Sequence, residues 1–322
     1  MTGLVTSTQL RRWARRAAAR GLDRLGFRPG RPGPESALAW IAAHEASGGG
    51  IRVHSGRARA YPEVTGYLVP TLLAYGERAL AARLLRWLVE IQQADGGYAS
   101  PDGIPHVFDT GQALRGLLAE PDLVPTALTA ARRAADYLCN RALDTGREGF
   151  GVCYAGEPLI PETIQLYVLP ALRCASDRLQ TPRYQAVADA CLEHYAHHAD
   201  FLRVERLTHF LAYELEALID LGRPELAAPT LRVLAAEQRP DGAVPAWPGA
   251  RWVCTPGQAQ LAICWYKTGH RANADRALAW LHAHQEPSGG FLGSYGRGAT
   301  YFPDVEPSWA AKFYLDAQRL RS

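Results

Sequence analysis

The sequence predicts an all-α fold, an (α/α)6 barrel in which six helical hairpins close into a toroid. Three observations carry that expectation. From Ser36 onward the chain repeats with a period of roughly 40–50 residues, the spacing of a helix-pair repeat. A polar or acidic residue next to Thr, followed by a helical apolar run, recurs at Glu63-Val64-Thr65-Gly66, Asp109-Thr110-Gly111 and Glu162-Thr163, and more loosely at Thr208, Thr255 and Ser308. A Gln-led, Gly-rich turn recurs at Gln92-Gln-Ala-Asp-Gly-Gly-Tyr98, Gln238-Arg-Pro-Asp-Gly-Ala-Val244 and Gln285-Glu-Pro-Ser-Gly-Gly-Phe291, with a degraded copy at Glu45-Ala-Ser-Gly-Gly-Gly-Ile51.

Taken in order, residues 1–34 form a basic arm and linker, and 35–322 a single toroid domain. Of 35 basic and 32 acidic residues, eight Arg and one Asp fall in the arm, leaving 27 and 31 for the body. The mildly acidic body does not fit a nucleic-acid binder. The arm, with Arg11, Arg12, Arg15, Arg16 and Arg20 beside Leu10 and Trp13, fits contact with an anionic membrane surface or a partner protein. No run reaches the ~18 apolar residues of a membrane span, and no signal-peptide core opens the chain. Six scattered Cys without a CxxC pair fit reduced, buried thiols in a cytoplasmic protein.

The first helix of each hairpin is expected at Ser36–Glu45, Leu80–Gln93, Thr129–Arg141, Gln185–His198, Pro229–Gln238 and Ala274–Gln285. In the second of these, Leu80, Leu84, Leu85, Leu88 and Ile91 line one face at helical spacing. The second helices start at the acid–Thr motifs, with Pro62, Pro161, Pro256 and Pro307 where a missing N–H costs little. They end near Gly76, Leu118, Cys174, Gly222, Gly269 and the C-terminus, the glycines fitting helix C-caps. Being more uniformly apolar, they should lie inside. The only strand signal lies in short loops such as Gly149–Tyr154. The Gly-rich turns are structural, since neither a P-loop nor a strand–GxGxxG–helix context surrounds them.

Parallel inner helices open their N-termini on one face, so Glu63, Asp109, Glu162, Asp304 and Glu306 should line one funnel. Each alone also fits a helix cap. Asp109 is the first catalytic candidate, because Phe108 favours partial burial and His106 is close; Glu63 and Glu162 flank it. Tyr61, Tyr67, Tyr98, Phe108, Tyr154, Trp252, Tyr301 and Trp309 share those loops. Aromatic rings among carboxylates suit a polyhydroxylated ligand. Arg52, His54, Arg57, His106, His209 and Arg251 add groups able to bind a uronate or phosphate. Glycoside cleavage needs two carboxylates at a set separation; uronate elimination or epimerisation needs a base such as His54, His209 or a Tyr. Asp109-Thr-Gly111 and Asp144-Thr-Gly146 mimic aspartic-protease motifs but sit among helices. His194, His197 and His198 have ligand spacing but lie on an outer helix. No metal or cofactor is expected.

The turns resemble the QW-type repeats of terpene cyclases and prenyltransferase β subunits, which implies the toroid. Gly289-Gly-Phe-Leu-Gly293 with Asp304 and Trp309 resembles the prenyltransferase zinc segment, but Asp304-Val305-Glu306 lacks its thiolate, and no DxDD acid motif of cyclases is present. In motif order the chain is more similar to VpsJ-like proteins of polysaccharide-biosynthesis clusters, through Tyr61-Pro-Glu-Val-Thr-Gly-Tyr67, Val107-Phe-Asp-Thr-Gly-Gln-Ala113, Thr255-Pro-Gly-Gln-Ala259, Gly289-Gly-Phe-Leu-Gly-Ser294 and Pro307-Ser-Trp-Ala-Ala-Lys-Phe313. That resemblance implies a sugar- or polysaccharide-related role. The leading expectation is therefore a carbohydrate-active enzyme, glycosidase-like or uronate lyase/epimerase-like. An isoprenoid enzyme and a non-catalytic carbohydrate-binding protein of an assembly complex are the alternatives.

Overall fold

Amphipathic helices alternate with almost wholly buried ones along the chain, and that alternation builds the architecture. The computed structural model describes residues 32–100, 103–144, 148–154, 157 and 160–321; the basic arm lies outside them. The outer helices are α1 (Pro34–Ala43), α3 (Arg78–Ile91), α5 (Ala127–Asp144), α7 (Pro182–Ala196), α9 (Pro224–Ala236) and α11 (Arg271–His284). The inner ones are α2 (Pro62–Ala74), α4 (Val107–Ala119), α6 (Leu169–Arg178), α8 (Thr208–Asp220), α10 (Thr255–Lys267) and α12 (Ser308–Arg321). Outer α3 buries only the Leu80/Leu84/Leu88 face, whereas α10 is buried at every position from Thr255 to Trp265. A helix apolar all round has no solvent face to offer, so it goes inside. Each inner helix packs on the next, and α12 returns onto α1 and α2, closing the six-hairpin toroid.

Three details differ from expectation. The third inner helix begins as a 3-10 segment, Glu162–Val168, before turning α-helical at Leu169. Pro170 has no N–H to give to the residue 166 carbonyl, so an α-helical bond is missing at that junction. Pro229 sits inside α9, which starts five residues earlier at Pro224. Residues 149–154 form no strand; the two strands among the described residues are β1 (Trp252–Cys254) and β2 (Ser294–Gly296), paired antiparallel with Val253 opposite Tyr295. Five of the six cysteines are buried and Cys174 is exposed. Gly76, Gly222 and Gly269 end inner helices with φ of 79°, 73° and 82°, the left-handed cap that glycine takes without strain.

The Gln-led turn is the hairpin-to-hairpin staple. Gln92 Nε2 donates to its own turn at Gly96 O (3.0 Å) and to the next outer helix at Ala130 O (2.9 Å). Gln238 does the same to Gly242 O and Asn273 O. Gln285 donates to Gly289 O (2.8 Å) and Gly33 O (3.1 Å) and accepts from Gly33 N (2.6 Å), tying the last repeat to the first. Gln285→Met is expected to cost about 1–3 kcal/mol, because partly buried backbone groups lose their partner. Urea unfolding of the variant against wild type measures it.

Candidate active site

The inner-helix N-termini surround a cavity of about 1510 Å³. Its walls include Glu63 from the first turn of α2 and Phe108 from the first turn of α4. His54, Tyr61, His106, Tyr154, His209, Trp252, Tyr301 and Trp309, each anticipated from the sequence, also face it. The antiparallel strands hold Trp252 at the rim, where it meets Trp247 edge-on at 4.9 Å. His106 lies 4.7 Å from the Tyr154 ring, and Phe108 meets Tyr213 edge-on at 5.2 Å.

Glu63 and Asp109 form the electrostatic centre. Asp109 is fully buried and does not itself open to the cavity. It accepts a hydrogen bond from Tyr154 Oη at 2.7 Å and another from the Tyr61 hydroxyl. Two phenol donors stabilise a carboxylate in its charged form. Burial first, and the Asp109 charge second, hold the Glu63 carboxyl well above the usual range. Neighbouring carboxyls in a low-dielectric wall do not both ionise, so the pair keeps one proton, and Glu63 carries it on the cavity side. Burial, then the Asp109 and Glu63 charges, likewise push the Tyr61 and Tyr154 hydroxyls up, so both stay donors.

Two of the cavity histidines, His54 and His209, are held neutral for different reasons. His54, lowered by burial and then by Arg57, accepts from Gly56 N at Nδ1 (3.0 Å), so its proton sits on Nε2. His209, buried beneath aromatic rings, is pushed down to about 3. An imidazole that holds a proton so weakly is disfavoured as the base of an elimination or epimerisation.

Several anticipated site residues are placed elsewhere. Glu162 does not line the cavity but stands 3.8 Å from His194 Nε2 of α7. The 3-10 winding around it turns its side chain by a different angle from those of Glu63 and Asp109. Tyr67 is fully buried one helical turn deeper than Glu63, with Lys312 Nζ 5.2 Å from its ring centre. Asp304 is exposed away from the cavity. Glu306 is a structural tie: it accepts from Trp40 Nε1 and from Ser288 Oγ (2.9 Å), joining α12's approach to α1. Among the described residues, no three His, Cys, Asp or Glu side chains converge on a metal position, and no helix is long and apolar enough to cross a membrane.

Tyr213 and Phe210 of α8, Trp247, Phe302, Arg59 and Arg206 also line the cavity without having been anticipated. Tyr213 looks like core by helical spacing, and only its closeness to the start of α8 hints otherwise. Glu214 was likewise unmarked, although two acids, Glu214 and Glu216, in a helix otherwise built to be inside are a legible signal. Glu214 accepts from Thr163 Oγ1 (2.6 Å) and Leu202 N (2.7 Å), holding the segment that brings Arg206 to the cavity. Burial pushes its carboxyl up to about 7 against the pull of Thr163, Leu202 and Arg206. A folded value above the unfolded one means that its contribution is whole in acid and is lost as pH rises through about 7. Glu214→Gln, with Thr163 turned to accept from the amide, should therefore flatten the fall in stability between about pH 4.5 and pH 7, measured by urea unfolding at each pH.

No protein-family model and no curated protein matches this chain. Solved structures do. A wild-type glycosidase superposes with a TM-score of 0.68 at 14% identity, over 89% of this chain and 95% of its own. A novel alpha-amylase from Clostridium perfringens gives 0.70 at 13%, over 91% and 99%. An unsaturated glucuronyl hydrolase specific for heparin gives 0.67 at 13%, over 89% and 95%. These likenesses establish the α/α toroid.

Proposed function

We propose that this chain is a carbohydrate-active enzyme that cleaves a sugar linkage by acid catalysis, with Glu63 as the proton donor. The observation that carries the reading is the pair at the inner-helix starts: a protonated Glu63 facing an aromatic cavity, with Asp109 sealed behind it. Protonation of the linking oxygen makes it a leaving group, and its departure leaves an oxocarbenium-like sugar. Water adds to that carbon and returns a proton to the Glu63 carboxylate. Asp109 does not reach the sugar; its charge, held by Tyr61 and Tyr154, keeps the proton on Glu63 between turnovers. Phe108, Trp252 and Trp309 offer faces for stacking on sugar rings.

The cavity is lined by Glu63 from the inner-helix starts and by Glu157 and Glu205 from its loops, with Arg57, Arg59 and Arg206 among them. The three arginines support a uronate-bearing oligosaccharide as the ligand. The heparin-specific glucuronyl hydrolase among the similar folds agrees with it. The VpsJ-like motifs support a place in polysaccharide or glycoconjugate biosynthesis, and the free cysteines support a reducing, cytoplasmic setting. The aromatic density of the cavity favours a second reading, an isoprenoid enzyme whose rings would shelter a carbocation.

The test is a turnover screen of wild-type protein on cellobiose, maltose, chitobiose and an unsaturated chondroitin disaccharide, with geranylgeranyl diphosphate alongside, read by mass spectrometry. Release of a monosaccharide from at least one sugar is expected. Binding without turnover leaves a carbohydrate-binding protein. Neither binding nor turnover of any sugar ends the carbohydrate reading, and conversion of the diphosphate alone installs the second one.

A further inference from the structure

His209 is reached by a line of buried groups that starts at a cluster of charges. Lys267 Nζ sits 2.6 Å from Asp220 and 3.4 Å from Glu216. Burial alone would raise the Glu216 carboxyl, but Lys267, Lys312 and Arg115 outweigh it and hold it below the usual range. An ionised carboxylate only accepts, so the nitrogen of the Gln260 amide is the end that faces it, at 3.3 Å. The Gln260 oxygen is then the end that meets His209 Nδ1, at 2.6 Å. A carbonyl oxygen cannot donate, so Nδ1 must carry the imidazole proton and Nε2 must carry a lone pair.

The ring is fixed as firmly as its tautomer. Tyr213 at 4.5 Å, Tyr301 at 5.6 Å and Phe313 at 5.9 Å wall it in. Its Nδ1 edge is turned to Gln260 within the protein, which leaves the Nε2 edge for the cavity that His209 lines.

We propose that His209 Nε2 is a dedicated hydrogen-bond acceptor that reads one hydroxyl of a sugar ring bound in the cavity, and that Gln260, anchored on Glu216, is the positioning residue that fixes it in that role. The inference rests on the sugar-ligand reading above but not on turnover. His54, with its proton on Nε2, is the complementary donor on the same cavity. An acceptor that stays unprotonated rejects a ligand lacking the hydroxyl, because the ligand's loss leaves the imidazole desolvated and unmatched.

The test has two arms on full-length protein. In the first, nitrogen-15 NMR of labelled histidine is expected to show His209 as the Nδ1–H tautomer, unchanged from pH 5 to 8; Gln260→Met should mix the tautomers. An Nε2–H ring, or titration near the ordinary histidine value, overturns the proposal without any ligand being needed. In the second, glucose and its 2-, 3-, 4- and 6-deoxy forms are the probes. Glucose is expected to shift the Nε2 resonance, one deoxy form to bind about three- to ten-fold more weakly, and His209→Phe to erase that difference. No Nε2 response to any of these sugars, or selectivity surviving in His209→Phe, also overturns it. Sugar binding without cleavage would end the proposed activity and leave this inference standing.

Discussion

Glu63→Gln is expected to reduce turnover by at least about 10²-fold and, at neutral pH, to make the protein more stable. The two effects share one cause. Burial and the Asp109 charge hold the Glu63 proton in place. The activity needs that proton, so wild-type activity should be full in mild acid and fall as pH rises through the raised value of Glu63. The falling limb therefore lies above the ordinary carboxylate range. Stability follows the same sign. The folded state binds a proton more tightly than the unfolded chain, whose carboxyl titrates near 4.5, so the Glu63 contribution declines as pH rises above that. A neutral amide escapes the decline. The variant's midpoint in thermal unfolding should exceed wild type at pH 7 and converge with it towards pH 4. Loss of activity accompanied by loss of stability would instead make Glu63 a structural cap, the role that its place in the first turn of α2 would otherwise give it.

The toroid was legible because its signals are periodic and local. The Gln-led turns, the capping glycines and the contrast between α3 and α10 each report the same repeat independently. The acid–Thr–Gly motif was legible as organisation, and the structure separates its parts. Thr65 Oγ1 donates to Tyr61 O and receives Ile51 N at 2.9 Å; Thr110 Oγ1 stands in the same relation to His106 O and Tyr98 N. The threonines thus tie each turn's apolar residue to the helix that follows. Only the acid is left for chemistry, and there repetition misled. Asp109 and Glu63 share a motif yet differ in access, because Tyr61 and Tyr154 cover the first and not the second. Glu162 shares it too, but the 3-10 turn sends it to His194. Direction of a side chain depends on winding and on neighbours from other repeats, and neither is written in a local motif. The Gln260–His209 contact, joining residues 51 apart on adjacent inner helices, is beyond any window of sequence.

Gly66→Ala is expected to harm the fold severely, and it should also disable the acid pair. Alanine is the better helix former by about 1 kcal/mol, so propensity alone predicts a gain. Packing reverses it. A Cβ at position 66 would meet the backbone carbonyl of Gln112 at 2.3 Å and the Cα of Ala113 at 2.6 Å. Those atoms belong to α4 and have no rotamer to change. On the facing side, Gly116 lies against the Gly66 carbonyl, with 2.5 Å from a would-be Cβ to that oxygen. Pro70 has no N–H to give to the same carbonyl, which leaves room for the close crossing. Helices α2 and α4 must therefore separate, at a net cost of about 3 kcal/mol, the upper end for an overpacked interior. Urea unfolding should show that loss, with Gly48→Ala, where nothing lies within 4 Å, close to neutral. The functional consequence follows from what the two helices carry. Glu63 stands three residues before Gly66, and Asp109 three residues before Gln112. Moving the backbones apart weakens the charge that keeps the proton on Glu63, so the alkaline limb of any residual activity should shift towards lower pH. A destabilised variant whose limb stays in place would mean that burial alone, without Asp109, sets the acidity of Glu63.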